Sequence, residues 1–157
     1  MLRKRLNQRG AFSLLELVIV VAIIAIIAAI AIPRMSRGSK GANDAALTGD
    51  LAVLRNAIDV YAAEHSGTYP TATDINSQLT QYTNDSGEAQ AAKDTAHIYG
   101  PYIHKVPPLP VGDNKGSKLI AATDGNDVGW IYNATAGSIR ANTTTEADET
   151  GKLYKDY

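Results

Sequence analysis

The chain has 157 residues, no cysteine, and a formal net charge of −1 at pH 7, from 15 Lys and Arg against 16 Asp and Glu. The length leaves room for one domain, and the lack of cysteine excludes disulfide bonds and metal sites with cysteine ligands. A net charge this small gives no reason to expect nucleic acid or an acidic lipid surface as the main partner.

The start of the chain joins a basic leader to an apolar run. Residues 1–11 carry a charge of +4 from four cations: Arg3, Lys4, Arg5 and Arg9. In residues 12–32, only Ser13 and Glu16 interrupt 21 positions of otherwise apolar side chains. As a helix this run would span about 32 Å, which is enough to cross the core of a bilayer. The excess of cations on cytoplasmic loops places the leader in the cytoplasm and residues 33–157 outside.

Three interpretations account for the apolar run. A secretory signal peptide would be cut after the small residues of Ala29-Ile30-Ala31, although the run is longer than the usual apolar region and contains Glu16. A plain single-span anchor would let the Glu16 carboxylate reach the cytoplasmic interface. The third interpretation rests on a resemblance.

The residues "GAFSLLELVIVV…AIAIPRM" resemble the cleavage and assembly signal of type IV pilins and type II secretion pseudopilins. In that family a prepilin peptidase removes a short basic leader, and the new first residue is methylated. The resemblance implies cleavage between Ala11 and Phe12 and N-methylation of Phe12. In this frame Glu16 is the fifth mature residue and Pro33 the twenty-second, as is typical of the family. The residue before the cut is usually glycine, so Gly10 is the alternative, and a cut after it would make Glu16 the sixth.

The resemblance also gives the carboxylate of Glu16 a role. A single Asp at the centre of a membrane helix costs roughly 2.5–3.5 kcal/mol on insertion scales. Cleavage would create an ammonium group on Phe12, and Glu16 of a neighbouring subunit would neutralise it. Pairing offsets part of the desolvation of both charges. The resemblance therefore implies that Glu16 serves assembly and not catalysis.

A second helical segment is predicted after the apolar run. Pro33, with the glycines and cations that follow it, predicts a kink or a frayed passage near 33–42. An amphipathic helix then starts at Asn43 or Asp44 and stops around His65. Its buried face is predicted by one apolar stripe with spacings of 4, 3, 4 and 3. The stripe consists of Leu47, Leu51, Leu54, Ile58 and Tyr61.

Residues 66–117 are the least regular part of the sequence. "TDINSQLTQY" predicts a short helix with Thr73 as its cap. One face of that helix carries Ile75, Leu79 and Tyr82. The polar residues 83–97 predict an exposed loop, and residues 99–116, with four of the six prolines, predict an extended or turning segment.

The end of the chain is predicted to form strands. The strand sequences are "KLIAAT" at 118–123, "GWIYN" at 129–133 and "SIRAN" at 138–142. A turn at 134–137 links the last two as a hairpin. Trp130 and Tyr132 face one way and Ile131 the other. We expect a small antiparallel sheet that covers the amphipathic helix.

These elements predict an α+β fold with four parts. They are a basic leader (1–11), a transmembrane or filament-core helix (12–32), its amphipathic continuation (33–65), and a loop region with the antiparallel sheet domain (66–157). The resemblance implies the same arrangement, a pilin-like lollipop with a long N-terminal helix packed on a small C-terminal sheet. The order of segments near the C-terminus is similar to that of pseudopilins of the major, G-type class, although the calcium-binding loop of that class is not recognisable.

No other motif predicts chemistry. Asp124, Asn126 and Asp127 place three oxygen ligands in one turn, but calcium takes six to eight, and Asp, Asn and Gly are ordinary β-turn residues. We therefore predict no cofactor, with calcium as the one candidate ligand. The three histidines lack zinc-ligand spacing and are predicted to lie on the surface: His65, His97 and His104. Because no catalytic spacing is found, we predict that the protein is not an enzyme.

The sequence thus predicts a structural subunit of a pilus-like filament. It would sit in the bacterial inner membrane as a single-pass protein, with its N-terminus cytoplasmic and its C-terminal domain periplasmic. The implied partners are prepilin peptidase, an inner-membrane assembly platform, membrane lipid and other pseudopilins. A type II secretion pseudopilin is favoured over a type IV pilus subunit, because the domain is short and lacks the paired C-terminal cysteines common in pilins. The alternative is a membrane-anchored exoplasmic binding domain that does not polymerise.

Overall fold

The computed structural model describes the backbone of residues 12–157 and the side chains of residues 12–29 and 39–157. The chain divides into two compact units, Met1–Ser39 and Lys40–Tyr157. Every strand of the described chain lies in the second unit.

The longest element is helix α1, Leu14–Glu64. At its start the Leu17 amide donates a hydrogen bond of 3.2 Å to the carbonyl of Ser13. At its end the Gly67 amide donates one of 2.7 Å to the carbonyl of Ala62, and Gly67 adopts a φ of 84°. A residue with positive φ that returns its amide to the last turn is a common helix stop. The predicted end of the helix near His65 is confirmed.

The predicted interruption of this helix is wrong. The backbone is helical throughout residues 33–42, so no second helix starts at Asn43 or Asp44. A proline removes only one amide donor, while each further helical residue still gains a backbone hydrogen bond. The side chain of Pro33 lies outside the described residues, and a kink at Pro33 stays a prediction.

The core of the second unit forms around one face of α1. The predicted stripe is confirmed, because each of its members is 2 % exposed or less. They are Leu47, Leu51, Leu54, Ile58 and Tyr61. Trp130, Tyr132 and Ile139 belong to the same buried cluster, and Ile131 is less buried than its two neighbours in sequence. The alternation predicted for this strand is therefore confirmed.

Helix α2, Ile75–Thr80, is the short helix that the sequence predicted. Ile75 and Leu79 are fully buried. The residue before its first turn is Asp74 and not the predicted Thr73. The hydroxyl of Thr71 accepts a hydrogen bond of 3.2 Å from the Asp74 amide, so the threonine three positions before Asp74 provides the local contact.

The segment predicted as an exposed polar loop contains a small antiparallel pair. Strand β1, Tyr82–Thr83, pairs with strand β2, Ala89–Gln90. The side chain of Asn84 closes the turn between them, because its Oδ1 accepts hydrogen bonds from the amides of Ser86 and Glu88 at 3.0 and 2.9 Å. A side chain that mimics a backbone turn in this way is a local device of asparagine.

The main sheet has three strands in the order β3-β4-β5: Leu119–Ala121, Val128–Asn133 and Ser138–Ala141. The predicted α+β fold is confirmed, and β4 and β5 form the predicted hairpin around residues 134–137. The sheet is mixed, however, since β3 runs parallel to β4. A strand of three residues is only about 10 Å long. The six residues 122–127 therefore suffice to bring the chain back from the end of β3 to the level of its first residue, where β4 begins.

Side-chain hydrogen bonds tie this sheet to the segments around it. On the β3 side, Asn76 of α2 donates to the carbonyl of Ile120 at 2.9 Å and accepts from its amide at 3.1 Å. In the proline-rich segment, the carbonyl of Pro107 accepts a hydrogen bond of 2.9 Å from the indole of Trp130. Both contacts join residues far apart in sequence, and they hold the irregular segments against the core.

The chain ends in a 3₁₀ turn, Tyr154–Asp156, that lies against α1. The Tyr154 hydroxyl donates a hydrogen bond of 2.8 Å to the Asp44 carboxylate. The guanidinium of Arg55 donates to the backbone oxygens of Tyr157 at 2.6 Å and of Ile139 at 3.4 Å. The last residues therefore cover part of the helix and leave another face of it uncovered.

Candidate functional site

The first part of α1 exposes apolar side chains on every side. From Phe12 to Ile27, twelve large apolar side chains are between 46 % and 80 % exposed. Five of them, Leu17–Val21, are consecutive and point to all sides of the helix, so no single face of the helix is polar. A helix that is apolar all round requires an apolar environment, either lipid or other helices. Within the part of the chain whose side chains are described, no helix is long and apolar enough to span a membrane.

Glu16 lies in the first turn of this helix and is exposed. It is the sole carboxylate in residues 12–39. Phe12 stands just before the helix, four positions earlier. A carboxylate in the first turn is favoured by the partial positive charge of the helix start, and it can form an ion pair with an ammonium group. Gly10 and Ala11, the residues predicted to precede the cut, lie outside the described residues.

Of the three oxygen ligands predicted from the sequence, Asn126 and Asp127 lie in a turn and Asp124 stands just before it. The Val128 amide donates a hydrogen bond of 3.2 Å to the carbonyl of Gly125, and Asp127 adopts a φ of 61°. The Asp124 carboxylate accepts a hydrogen bond of 2.7 Å from the side chain of Asn142. This arrangement is that of a hydrogen-bonded β-turn.

The turn borders a polar cavity of about 600 Å³ that the sequence did not predict. Asp113 and Glu146 also line it, together with Asp124, Asn126 and Asp127. Hydrogen bonds from its own amide and from the amides of Thr144 and Asp113 hold the pKa of Glu146 below its ordinary value, so its oxygens already have donors. In the described residues, no group of three or more His, Asp or Glu side chains is placed to hold a metal ion. The prediction of no cofactor, with Asp124, Asn126 and Asp127 as the candidate calcium ligands, stays a prediction.

The prediction that all three histidines lie on the surface is wrong for His65. That side chain is 5 % exposed, and it stacks on the ring of Tyr61 at 3.9 Å. Its two ring nitrogens lie 2.9 Å from the carbonyl of Tyr61 and 3.0 Å from that of Asn84. The end of α1 brings His65 against the β1–β2 pair, a contact that its polar neighbours in sequence do not indicate. His97 contacts the Asp94 carboxylate at 2.9 Å, and His104 is exposed.

Two further surface features were not found by the sequence analysis. Val53 and Val60 are 51 % and 40 % exposed, and a spacing of seven residues places them on one face of α1, away from the buried stripe. Leu119 at the start of β3 is 45 % exposed, and it lies in a shallow pocket with Lys105 and Lys118. The spacing of Val53 and Val60 is a signal in the sequence, but their exposure follows only from the fold.

Comparison with known proteins gives one result for the helix start. Residues 6–32 match the family model described as the prokaryotic N-terminal methylation motif. No curated protein and no solved structure matches the chain significantly. The matched residues include Phe12 and Glu16 and nearly all of the exposed apolar part of α1. The match supports a pilin-like structural subunit that is processed by a prepilin peptidase and assembled into pilin-like filaments.

Proposed function

We propose that this protein is a subunit of a pilus-like filament, built by processing between Ala11 and Phe12 and by packing of the apolar part of α1. The observation that carries the proposal is the position of Glu16. It is the one carboxylate of an exposed apolar helix start, and it falls inside the matched methylation motif.

Burial of the apolar helix start would drive assembly. Complete burial of one Val, Leu, Ile or Phe side chain contributes about 1.5–3 kcal/mol, and twelve such side chains are exposed between Phe12 and Ile27. Only part of this area would be buried against neighbouring helices, and ordering costs oppose it. The gain is nevertheless large compared with any single polar contact.

Glu16 would fix the register of this packing. After cleavage the N-methylated ammonium of Phe12 is a cation at the end of an apolar helix, and the Glu16 carboxylate of a neighbouring subunit would pair with it. Each charge alone is costly in an apolar environment, so any register that leaves them apart is penalised. The contact between the ammonium group of one copy and the carboxylate of the next joins two different surfaces, so it is heterologous. Repeated heterologous contacts that do not close make a filament.

Before assembly the same apolar helix would be held in the inner membrane. The leader, with its charge of +4, would remain in the cytoplasm, and the second unit would face the periplasm. An inner-membrane assembly platform would then extract processed subunits from the lipid. No enzymatic activity is required for this role.

We assign the filament to a type II secretion system and not to a type IV pilus. The second unit is short and the chain has no cysteine, whereas paired C-terminal cysteines are common in pilins. The similarity of the C-terminal segments to G-type pseudopilins supports the same choice. The proposed product is a periplasmic pseudopilus that serves protein export.

The experiment that tests the proposal is the N-terminal mass of the protein recovered from membranes of a bacterial host with a prepilin peptidase. We expect a chain that begins at methylated Phe12. A chain that begins at Met1 would favour a membrane-anchored binding domain, and one that begins at Ile32 would indicate a secreted soluble protein. A start at Ala11 would place the cut after Gly10 and would make Glu16 the sixth residue.

A further inference from the structure

The uncovered face of α1 in the second unit is apolar in the middle and acidic at its ends. Val53 and Val60 form the middle and are the two large apolar side chains of the described helix beyond Ser39 that are exposed. Asp50 lies three residues before Val53 and Glu64 four residues after Val60, so both carboxylates lie on or beside the same face. We name these four residues the α1 outer face.

A notch opens beside the C-terminal half of the α1 outer face. It has a volume of about 290 Å³, and Val60, Pro101 and Tyr102 contribute apolar surface to it. The Tyr102 hydroxyl donates a hydrogen bond of 2.7 Å to the Glu64 carboxylate. Glu64 is thereby held at the rim of the notch.

A second surface of the same unit has the opposite charge. A shallow pocket of about 450 Å³ is lined by exposed Leu119 and three basic side chains, with no carboxylate among its lining residues. The basic side chains are His104, Lys105 and Lys118. We name these four residues the basic patch.

Among the residues whose side chains are described, neither surface has its charges in an ion pair. Among the described residues, the one ion pair shorter than 4 Å is that of His97 and Asp94. Arg55, the cation on α1 nearest to these carboxylates in sequence, donates to backbone oxygens of the C-terminal turn and of β5. The α1 outer face is therefore acidic and the basic patch is cationic, and both expose a large apolar residue at the centre.

We propose that the basic patch of one copy binds the α1 outer face of the next copy, with Leu119 entering the notch beside Val60 and Lys118 or Lys105 meeting Glu64. The inference rests on the proposed filament and names the contact between its second units. The two surfaces share no residue, so successive copies can repeat the contact, and a repeated contact that does not close on itself makes a filament.

The expected contact is small and is not the main source of filament stability. Exposed ion pairs contribute about 0–1 kcal/mol each, and the apolar centre is one leucine against one valine and its neighbours. Such a contact selects the position of the next copy and excludes others, because a wrong register places lysine against lysine or carboxylate against carboxylate. Its strength falls as the salt concentration rises.

Cysteine cross-linking tests the contact in the full chain, which contains no cysteine of its own. The Val60→Cys and Leu119→Cys double variant is expressed with a prepilin peptidase and treated in membranes with a short thiol cross-linker. We expect a ladder of dimers, trimers and higher species, because each copy then carries both halves of the contact. A mixture of the two single variants is expected to stop at dimers.

In the matched control the first cysteine stands at Ile98 instead of Val60. Ile98 is 49 % exposed, close to the 45 % of Leu119, and it lies outside both surfaces. The Ile98→Cys and Leu119→Cys variant is expected to give no ladder. Filaments in the same membranes are counted by electron microscopy. Filaments without a Val60–Leu119 ladder would overturn this inference and leave the proposed function intact, whereas the absence of both filaments and ladder would overturn both.

A charge exchange provides an independent test. Lys118→Glu or Glu64→Lys alone is expected to reduce filament yield by about tenfold, and the two changes together are expected to restore most of it. Glu64→Gln keeps an acceptor for the Tyr102 hydroxyl and is expected to weaken assembly less than Glu64→Lys. Equal loss in the single and the double variants would show that the two residues do not meet.

Discussion

The hydroxyl of Tyr154 donates a hydrogen bond of 2.8 Å to the Asp44 carboxylate across 110 positions of sequence. The ring of Tyr154 is buried in the core, and Asp44 lies on α1 shortly after the boundary between the two units. This contact fastens the C-terminal turn to the first part of α1 that packs in the second unit.

Removal of that hydroxyl should loosen the C-terminal turn. Tyr154→Phe is expected to lower the free energy of unfolding by about 1 kcal/mol, since a hydrogen bond to a charged partner is lost while the ring still packs. Urea denaturation of the full chain in detergent measures the change. The control is Tyr82→Phe, because the Tyr82 hydroxyl has no hydrogen-bond partner among the described residues, and an equal loss there would contradict the assignment.

Alkaline pH should destabilise the second unit. Burial raises the pKa of Tyr132 to about 12. Burial, followed by the hydrogen bond to Asp44, raises the pKa of Tyr154 to about 12 as well. An unfolded tyrosine has a pKa near 10, so the folded state binds more protons between these values. The stabilisation is complete below about pH 10 and is lost as the pH rises toward 12.

Each of the two groups contributes on the order of 2–3 kcal/mol over this range. Tyrosinate absorbance and circular dichroism should change together between pH 10 and pH 12 in the full chain. In the Tyr132→Phe variant, the free energy of unfolding should fall less steeply between pH 10 and pH 12 than in the wild type. Ionisation of these tyrosines near pH 10 without unfolding would contradict the expected burial.

Two glycines should respond in opposite directions to replacement by alanine. Gly137 in the β4–β5 turn has a φ of 64°, and a Cβ there would overlap the ring of Tyr69. Gly137→Ala is expected to lower the free energy of unfolding by about 2 kcal/mol or more. Gly49 lies in α1 with open space around the position of a Cβ, so Gly49→Ala is expected to raise it by about 0.5–1 kcal/mol.

Thermal denaturation of the two variants, recorded side by side, measures both effects. A destabilising Gly49→Ala would show that the exposed side of α1 near this position makes close contacts in the purified protein. Unchanged stability of Gly137→Ala would require the turn and the Tyr69 ring to move at little cost.

Glu16→Ala should separate processing from assembly. The variant is expected to be cleaved at the same bond as the wild type but to yield about tenfold fewer filaments or none, because the Phe12 ammonium would remain unpaired in an apolar environment. Glu149→Ala, which removes an exposed carboxylate from the second unit, is the control for loss of charge. Normal filaments of the Glu16→Ala protein would remove the role assigned to this residue.

Calcium should have little effect on the second unit. If the turn of Asp124, Asn126 and Asp127 serves only as a turn, Tm should agree within about 1 °C between EDTA and excess CaCl2. A ligand at one hundred times its Kd stabilises the folded state by about 2.7 kcal/mol, which would raise Tm by several degrees. Such a rise, abolished by Asp124→Asn, would identify a calcium site.

Local patterns in the sequence predicted those parts of the fold that are determined within a single helix, strand or hairpin. The 4, 3, 4, 3 spacing from Leu47 to Tyr61 predicts a buried helix face wherever the partner lies. The alternation around Trp130 and the glycine at 137 predict a strand and its hairpin. The candidate assembly site could be predicted in the same way, because Phe12, Glu16 and the apolar run all lie close together in the sequence.

The remaining features depend on residues that are distant in sequence. His65 has Glu64 and Ser66 as its neighbours in the chain, and the rings of Tyr61 and Tyr99 bury it together with the β1–β2 pair. The parallel pairing of β3 follows from the position of Asn76 and from the short return through 122–127, which no periodicity encodes. Val53, Val60 and Leu119 look like ordinary apolar residues until the fold leaves them uncovered.

The pair of hydrogen bonds between Asn76 and Ile120 has a further consequence for a protein packed among many copies of itself. An open strand edge offers unsatisfied amides and carbonyls to a neighbour's strand, and crowding of identical chains favours edge-to-edge pairing and amyloid. Here the side-chain carboxamide of Asn76 is hydrogen-bonded to both the carbonyl and the amide of Ile120, the central residue of β3. A foreign strand would first have to displace that side chain. Copies of this protein can thus stand side by side at high density while the β3 edge of each sheet stays closed.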